Sequence, residues 1–404
     1  MHLHLVALNP TDSVTAGFLP AAAELGGEVT LFTDRAAPHE EAYAGSAAAP
    51  ARIVTCDVRD VRALVAAMST APRPDAVFSN SDHLQTQTAL AAAWFGLPGK
   101  DWRAALRTKN KALMRRHLAD RGSAPVWSAE LPGDRTPDEL IAVGVPFPCV
   151  VKPREGVASE DAYLVADGGE LLARCREIRA RTPGIPLVVE EFLDGELHTL
   201  ETLGDTRGRR VLGGFHTKLS PPPSFVEESL AYDAAPGAGA LAGVERDLDA
   251  LGVGFGACHT EFVVGADGRA RLVEVNYRVI GDQCDLLLQD LLDIPVFAQI
   301  LRVHLGESLS ALPAPRRGDR RAARVEYVCA DASGTLVAAP PAEETAADGV
   351  RLTYRPLREV GTTAPRTGTN RDYLGVVRAM GPDQARTDAA VARFIAARRW
   401  EIRG

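Results

Sequence analysis

The segment TEFVVGADGRARLVEVN, residues 260–276, sets two alternating runs on either side of Asp267-Gly268. An Asp-Gly pair flanked in this way is a strong hairpin signal. A two-residue turn fixes the register by counting: Ala266 opposes Arg269, Val264 opposes Arg271, Phe262 opposes Val273, Glu261 opposes Glu274, and His259 opposes Asn276. Side chains alternate along a strand. Glu274, Asn276 and Arg278 therefore share one face, with Val273, Val275, Tyr277 and Val279 on the other. Like charges directly opposite one another destabilise a sheet, so the facing glutamates call for a shared proton or a cation. With the Asn276 amide the donors are all oxygen. That set suits magnesium or manganese, which keep waters and bind one or two carboxylates plus substrate phosphates. Neutralisation by Arg278 and nearby lysines, as an ordinary surface network, accounts for the same residues. Under the metal reading, Arg278 clamps phosphate or stabilises developing negative charge.

A magnesium site of this kind directs attention to phosphate-binding lysines. Lysine is scarce beside arginine. Lys152 ends an apolar run, CVVKP, where a charge is costly unless paired. The turn REGVASE beyond it offers backbone N–H groups and Ser159 as a cover over phosphates. It is not a Walker A loop. A strand-end lysine reaching solvent explains Lys152 equally, and Lys111 lies on a basic helical face that reads as solvated. In LVVEEFLDGE an apolar strand gives way to carboxylates, a hinge able to offer backbone groups to an adenine edge or simply a charged strand exit.

The chain has 404 residues, so two or three lobes are expected. It is 46% hydrophobic and 24% charged, a globular balance. A net charge of −8 argues against a general nucleic-acid binder. No apolar run reaches bilayer length, and the start MHLHLVALNP lacks the basic and apolar regions of a signal peptide. The six cysteines contain no C-x-x-C pair and read as buried hydrophobes in a reducing compartment. The expectation is a soluble cytoplasmic protein without nucleic-acid or membrane partners.

Through about residue 105, strand and helix patterns alternate as in an open parallel sheet covered by helices. No G-x-G-x-x-G follows the first strand, which disfavours a dinucleotide-binding dehydrogenase. TKNKALMRRHLADRGSAP reads as a basic helix ended by Gly122. A strand, a polar turn, a strand and a helix lead to the hinge. Two strands and the extended loop at LSPPPSFVEESLAYD follow, then a helix near 237–252 and the hairpin. DLLLQDLLDIPVFAQILRVHL is helical with a break at Pro295. The stretch 313–321 reads as a linker to a small mixed C-terminal domain.

In this order and spacing the pieces resemble the ATP-grasp superfamily, and within it the carboxylate–amine ligase branch. NKALMRRHLADRGSAPVW looks like the first lysine motif. PCVVKPREGVAS looks like the second lysine with its glycine-rich loop, VVEEFLDGE like the adenine hinge, and HTEFVV with VEVNYRVIG like the E…E-x-N-x-R-x-x-G signature. The likeness spans about residues 6–305. It implies an α/β ATP-grasp fold: an N-terminal open parallel domain at 1–105, a small lobe at 106–203, a metal and substrate lobe at 204–312, and a C-terminal α+β domain at 320–404. By position, Lys111 and Lys152 contact ATP phosphates and Ser159 belongs to the mobile loop. Glu190, Glu191 and Leu193 form the adenine hinge, with backbone groups of Glu191 and Leu193 meeting the base. Glu196 is the ribose ligand, one residue out of step with the G-x-E of the family. Glu261, Glu274 and Asn276 hold magnesium (two ions, with manganese as an alternative), and Arg278 stabilises the acyl phosphate and tetrahedral intermediate.

GGFHTKLSPPPSFVEES resembles the wall of the acceptor pocket in ligases of this kind, with His216, Lys218 and Glu227 as its polar candidates. Lys218 pairs the donor carboxylate on this reading; a solvated loop lysine explains it too. The implied reaction joins a small-molecule carboxylate to an amine, giving an amide, ADP and phosphate. A dipeptide or a siderophore-type amide is the product class, and a homodimer is the assembly the fold allows. Two rivals stand beside it: a purine-pathway or biotin-carboxylase-like enzyme activating formate or bicarbonate, and a non-catalytic nucleotide-binding protein.

Overall fold

The computed structural model describes residues 1–237, 239–315 and 321–404. The linker expected at 313–321 lies outside the described residues over 316–320. At the N-terminus, strands β1 (His2–Val6), β2 (Glu28–Thr33), β3 (Arg52–Thr55) and β4 (Ala76–Phe78) form a parallel sheet in the order β3-β2-β1-β4. β1 and β2 are buried at every residue after their first, the polar His4, Thr30 and Thr33 included, whereas β3 is half-exposed. Between β2 and β3 the chain forms a helix, Ala36–Tyr43. That helix has a mixed Ala, His and Glu composition with almost no apolar periodicity.

A second sheet of four strands consists of β5 (Ser128–Leu131), β6 (Cys149–Pro153), β7 (Tyr163–Val165) and β8 (Leu187–Glu191), in the order β5-β8-β6-β7. The helix Gly168–Arg181 packs Leu171, Cys175 and Ile178 on this sheet, and its N-cap Asp167 accepts from the Glu170 N–H at 2.9 Å. The helix Lys111–Asp120 leads into it, capped by the Asn110 side chain and closed by Gly122 at φ +75°.

The largest sheet has nine strands. Its first five are β9 (Glu196–Gly204), β10 (Arg209–Leu219), β11 (Glu227–Asp233), β12 (Gly256–Val264) and β13 (Ala270–Asn276). Beyond these come β14 (Ala322–Cys329), β15 (Gly334–Ala338), β16 (Glu343–Ala347), β17 (Val350–Pro356), β18 (Thr363–Ala364), β19 (Tyr373–Gly381) and β20 (Glu401–Arg403). The nine-strand order is β13-β12-β9-β10-β11-β14-β19-β17-β16, while β18-β15-β20 makes a small separate sheet. The C-terminal strands thus extend the sheet that carries the glutamates, through pairing of Ser229 with Glu326 and Leu230 with Val325. The main core joins β10, β11 and β14 to the helices Cys284–Leu292 and Val296–His304 and to the first strands of the chain.

The hairpin register differs from the count near the turn and agrees with it at the carboxylates. Phe262 faces Leu272 and Val264 faces Ala270, one residue short of the counted partners. The turn runs over residues 265–268, with the Gly268 N–H donating to the Gly265 carbonyl and Gly268 at φ +70°. A bulge between Glu261 and Phe262 then leaves Val273 unpaired and restores the count, so that Glu261 faces Glu274 and His259 faces Asn276. Val273 accordingly lines the cavity below, while Leu272, Val275 and Tyr277 lie in the core. The strand ends at Asn276, so Arg278 sits just past it.

Candidate active site

A cavity of about 520 Å³ lies between the small sheet and the nine-stranded one. From the small sheet and its loop it takes Lys152, Gly156 to Ser159, and the segment Glu190 to Leu193. From the large sheet it takes Glu227, His259, Glu261, Glu274 and Asn276, followed by Arg278 and Asp282. Lys111 and Arg115, four residues apart on one face of their helix, close a side.

The basic helical face is buried rather than solvated: Lys111 is 3% and Arg115 5% exposed. Lys111 Nζ donates to Glu274 Oε1 at 2.9 Å and to the Gly156 carbonyl at 3.3 Å. Burial works against its charge, yet the Glu274 carboxylate holds its pKa above the ordinary lysine value. Arg115 grips both oxygens of Glu190, at 2.6 and 3.1 Å, and also donates to the Leu272 carbonyl. Lys152 Nζ reaches Glu190 Oε2 at 2.8 Å. Burial alone would raise the Glu190 carboxyl pKa; Arg115 and Lys152 override it and hold that group far below the usual carboxylate range. Arg115 was missed in the sequence because helical basic residues look alike until a buried partner is known.

Glu190 is therefore the anchor of two cations, and its carboxylate is committed to them. Of its neighbours, Glu191 Oε1 accepts from the Trp127 N–H at 2.8 Å, and Glu191 and Leu193 line the cavity. Gly195, at φ +151°, brings its backbone so close to β12 that a Cβ would meet the Val264 carbonyl at 2.3 Å. Glu196 stands outside the cavity lining, exposed at the start of β9 and 3.6 Å from His198. The structure gives no support to its role as ribose ligand.

At the carboxylate face, His259 Nδ1 and Glu201 Oε1 lie 2.7 Å apart, and His259 Nε2 is 3.4 Å from Glu261 Oε1. Burial opposes the imidazolium, but Glu201 and Glu261 raise the His259 pKa to about 10. Glu261 is correspondingly held low: burial pushes it up, and the His259 contact outweighs this. Asn276 Nδ2 donates to Glu261 Oε1 at 3.4 Å. Glu201, buried in β9, had no signal in the sequence beyond its place in an alternating strand.

The charge balance of the cavity bears on a divalent cation. On the side of the large sheet, four carboxylates, Glu227, Glu261, Glu274 and Asp282, line the cavity. The Glu227 carboxyl is pushed up to about 8 by burial, then by Glu261 and Asp282. A cation beside Glu261 would relieve that repulsion, and the oxygen donors of Glu261, Glu274 and Asn276 on the same cavity fit magnesium. Among the described residues no group of three or more His, Cys, Asp or Glu converges as a self-sufficient cage. An ion here completes its shell with phosphate and water.

The acceptor-side candidates divide. Glu227 lines the cavity, held by Asn370 Nδ2 at 3.1 Å. Lys218 and His216 do not. They alternate outward with Leu219, which lines the cavity, and Lys218 is 68% exposed and paired with Glu228 at 2.8 Å. Ser159, at φ +56°, lines the cavity and donates to the Phe225 carbonyl at 2.8 Å. Arg278 donates to the Val279 carbonyl at 2.9 Å with its guanidinium on the cavity, and Asn370, Tyr327 and Asp282 were not foreseen there.

Residues 145–286 match the family model described as the ATP-grasp domain. No curated protein matches the chain in sequence. Its fold resembles the crystal structure of an L-amino acid ligase from Bacillus licheniformis, with a TM-score of 0.80 at 20% identity, covering 100% of this chain and 99% of that one. It also resembles phosphoribosylglycinamide synthetase from Anaerococcus prevotii, with a TM-score of 0.73, 14% identity and coverage of 100% and 99%. A biotin carboxylase from Campylobacter jejuni aligns with a TM-score of 0.67, 14% identity and coverage of 99% and 92%. At these identities the likeness shows a fold shared with those enzymes, and the ATP-grasp match itself is carried by residues 145–286. No helix among the described residues is long and apolar enough to cross a membrane.

Proposed function

We propose that the chain, which carries an ATP-grasp domain, is an ATP-dependent carboxylate–amine ligase. The observation that supports this best is the facing of Glu261 and Glu274 in the same cavity as Lys111, Lys152 and Arg278. The lobes 106–203 and 204–312 would close on the nucleotide. Lys111 and Lys152 would meet its phosphates, Ser159 and the loop around it would cover them, and backbone groups of Glu191 and Leu193 would meet adenine. Glu261, Glu274 and Asn276 would hold magnesium, two ions on this reading, whose chemistry is to neutralise phosphate oxygens.

Transfer of the γ-phosphoryl group to a substrate carboxylate oxygen yields an acyl phosphate and ADP. The amine then attacks the acyl carbon, phosphate leaves, and the amine loses a proton to give the amide. Phosphoryl transfer asks the protein chiefly for positioning and charge neutralisation, and Arg278 would balance charge as the tetrahedral centre forms. An amino acid or similar small acid is the donor in this reading, with a dipeptide or siderophore-type amide as product. The cytoplasm is the proposed compartment and a homodimer the proposed assembly.

The test is phosphate release from ATP and magnesium over pools of carboxylates and amines, with release that needs both an acid and an amine as the expected result. A second reading, activation of bicarbonate, draws on the comparable fold match to biotin carboxylase. Release that depends on bicarbonate would replace the first reading with the second.

A further inference from the structure

Three separate segments meet over the Glu227 end of the cavity, and one residue of the third touches both of the others. The glycine-rich loop contributes Ala158, whose carbonyl accepts from the Asn370 backbone N–H at 3.3 Å. The start of β11 contributes Glu227. Its backbone N–H donates to Asn370 Oδ1 at 3.2 Å, and its Oε2 accepts from Asn370 Nδ2 at 3.1 Å. The C-terminal turn, residues 370–372, supplies Asn370 itself. This turn is fixed from below: Thr369 Oγ1 accepts from the Arg371 N–H, and the Asp372 carboxylate accepts from the N–H groups of Thr367 and Gly368. Arg371 adds an ion pair to Glu160 of the loop. That pair is exposed and contributes little by itself.

We infer that Asn370 is a positioning residue that links the substrate end of the cavity to closure of the glycine-rich loop. This rests on the ligase reading above. Each polar end of the Asn370 amide is committed to Glu227, so its backbone has one placement when the Glu227 side chain is in its observed position. That placement aims the Asn370 N–H at the loop carbonyl. A substrate lying against Glu227 therefore steadies the loop over the phosphates through Asn370, and a closed loop excludes water from the reacting acyl group. None of this could be read from the motifs, because Asn370 lies 94 residues beyond Asn276 in a segment outside the resemblance.

The test compares wild type, Asn370→Ala and Asn370→Asp. The aspartate keeps an acceptor for the Glu227 N–H and loses the donor to its carboxylate. With an active acid–amine pair, phosphate released per amide formed should rise about fivefold in Asn370→Ala, as expected when loss of both side-chain hydrogen bonds to Glu227 weakens the closed state by the net worth of about one hydrogen bond. Asn370→Asp should fall between. An unchanged ratio, with activity falling only in step with the folded fraction, would overturn the inference and leave a structural role.

A second measurement needs no turnover. Tryptic cleavage after Arg154, at the mouth of the loop, should quicken about fivefold in Asn370→Ala in the presence of a non-hydrolysable ATP analogue and magnesium. Equal cleavage rates at equal melting temperature would overturn it too. Failure of wild type to release phosphate with any acid and amine would strike the ligase reading instead, and the cleavage comparison would still decide the link.

Discussion

The Glu274 carboxylate faces Glu261 across the sheet and takes the Lys111 ammonium at 2.9 Å. Glutamine in its place keeps the shape and removes the charge that a cation and Lys111 both require. Glu274→Gln should lower turnover by at least about 100-fold, the scale of losing one preorganised electrostatic contact, with a circular dichroism spectrum like that of wild type. Retained turnover would remove Glu274 from the proposed metal site. Lys152→Ala leaves Glu190 paired with Arg115 but withdraws a cation from the cavity; KM for ATP should rise on the order of tenfold, measured by steady-state kinetics. Glu227 gives a pH signature. Its carboxyl stands at about 8 against an ordinary 4.5, through burial and then Glu261 and Asp282. The folded state binds the proton more tightly than the unfolded state, so this contribution to stability is complete below 4.5 and is lost as pH rises through about 8. Melting temperature should therefore fall with a steeper slope from pH 5 to 8 in wild type than in Glu227→Gln. Parallel profiles would show that Glu227 titrates normally. Most cavity residues of this scale were legible through motif spacing. The misplaced ones, Lys218, His216 and Glu196, failed because proximity in sequence does not say which face of a strand a side chain takes.

At the scale of elements, the hairpin shows how a register can be read correctly at Glu261 and Glu274 through two offsetting errors. The turn is longer than the Asp-Gly pair suggested, and the bulge at Val273 takes up the difference before the carboxylates. Alternation identified both strands, but a bulge has no sequence mark when the extra residue is itself apolar. Pairing of β12 with β9 runs without interruption from Gly256 to Val264, so the glutamates are held from the opposite edge as well. Changes at the turn should therefore cost stability and spare the site. Gly268 sits at φ +70°, and a Cβ there meets nothing within 4 Å. Gly268→Ala should destabilise by about 1 kcal/mol through backbone conformation alone, seen in urea unfolding, with kcat per folded molecule unchanged. A loss of activity larger than the loss of folded protein would mean that the turn sets the carboxylate register after all.

For the whole molecule, the decisive feature is that the C-terminal strands belong to the sheet that carries Glu261 and Glu274. From sequence, the stretch at 313–321 invites the reading of a linker with a detachable domain beyond it, since Pro, Arg and Gly cluster there and the resemblance fades. Long-range pairing is not written in local pattern: β14 joins β11, β19 joins β14, and Tyr327 and Asn370 return to the cavity wall. A chain ending at residue 315 would expose the β11 edge at Ser229 to Ala231 and uncover the buried Leu230 beside it. It would also lose the Asn370 contacts to Glu227 and the Arg371 contact to the loop. An open edge of that kind templates association with other chains. The truncated protein should run as soluble aggregate or as inclusion bodies, whereas the full chain gives a discrete species on size exclusion. A monodisperse 1–315 fragment that binds ATP with the affinity of the full chain would show that the first eleven strands and β12 with β13 hold the nucleotide site unaided. The strand pairing argues the opposite, because the sheet that presents Glu261 and Glu274 is completed from its far side only after residue 321.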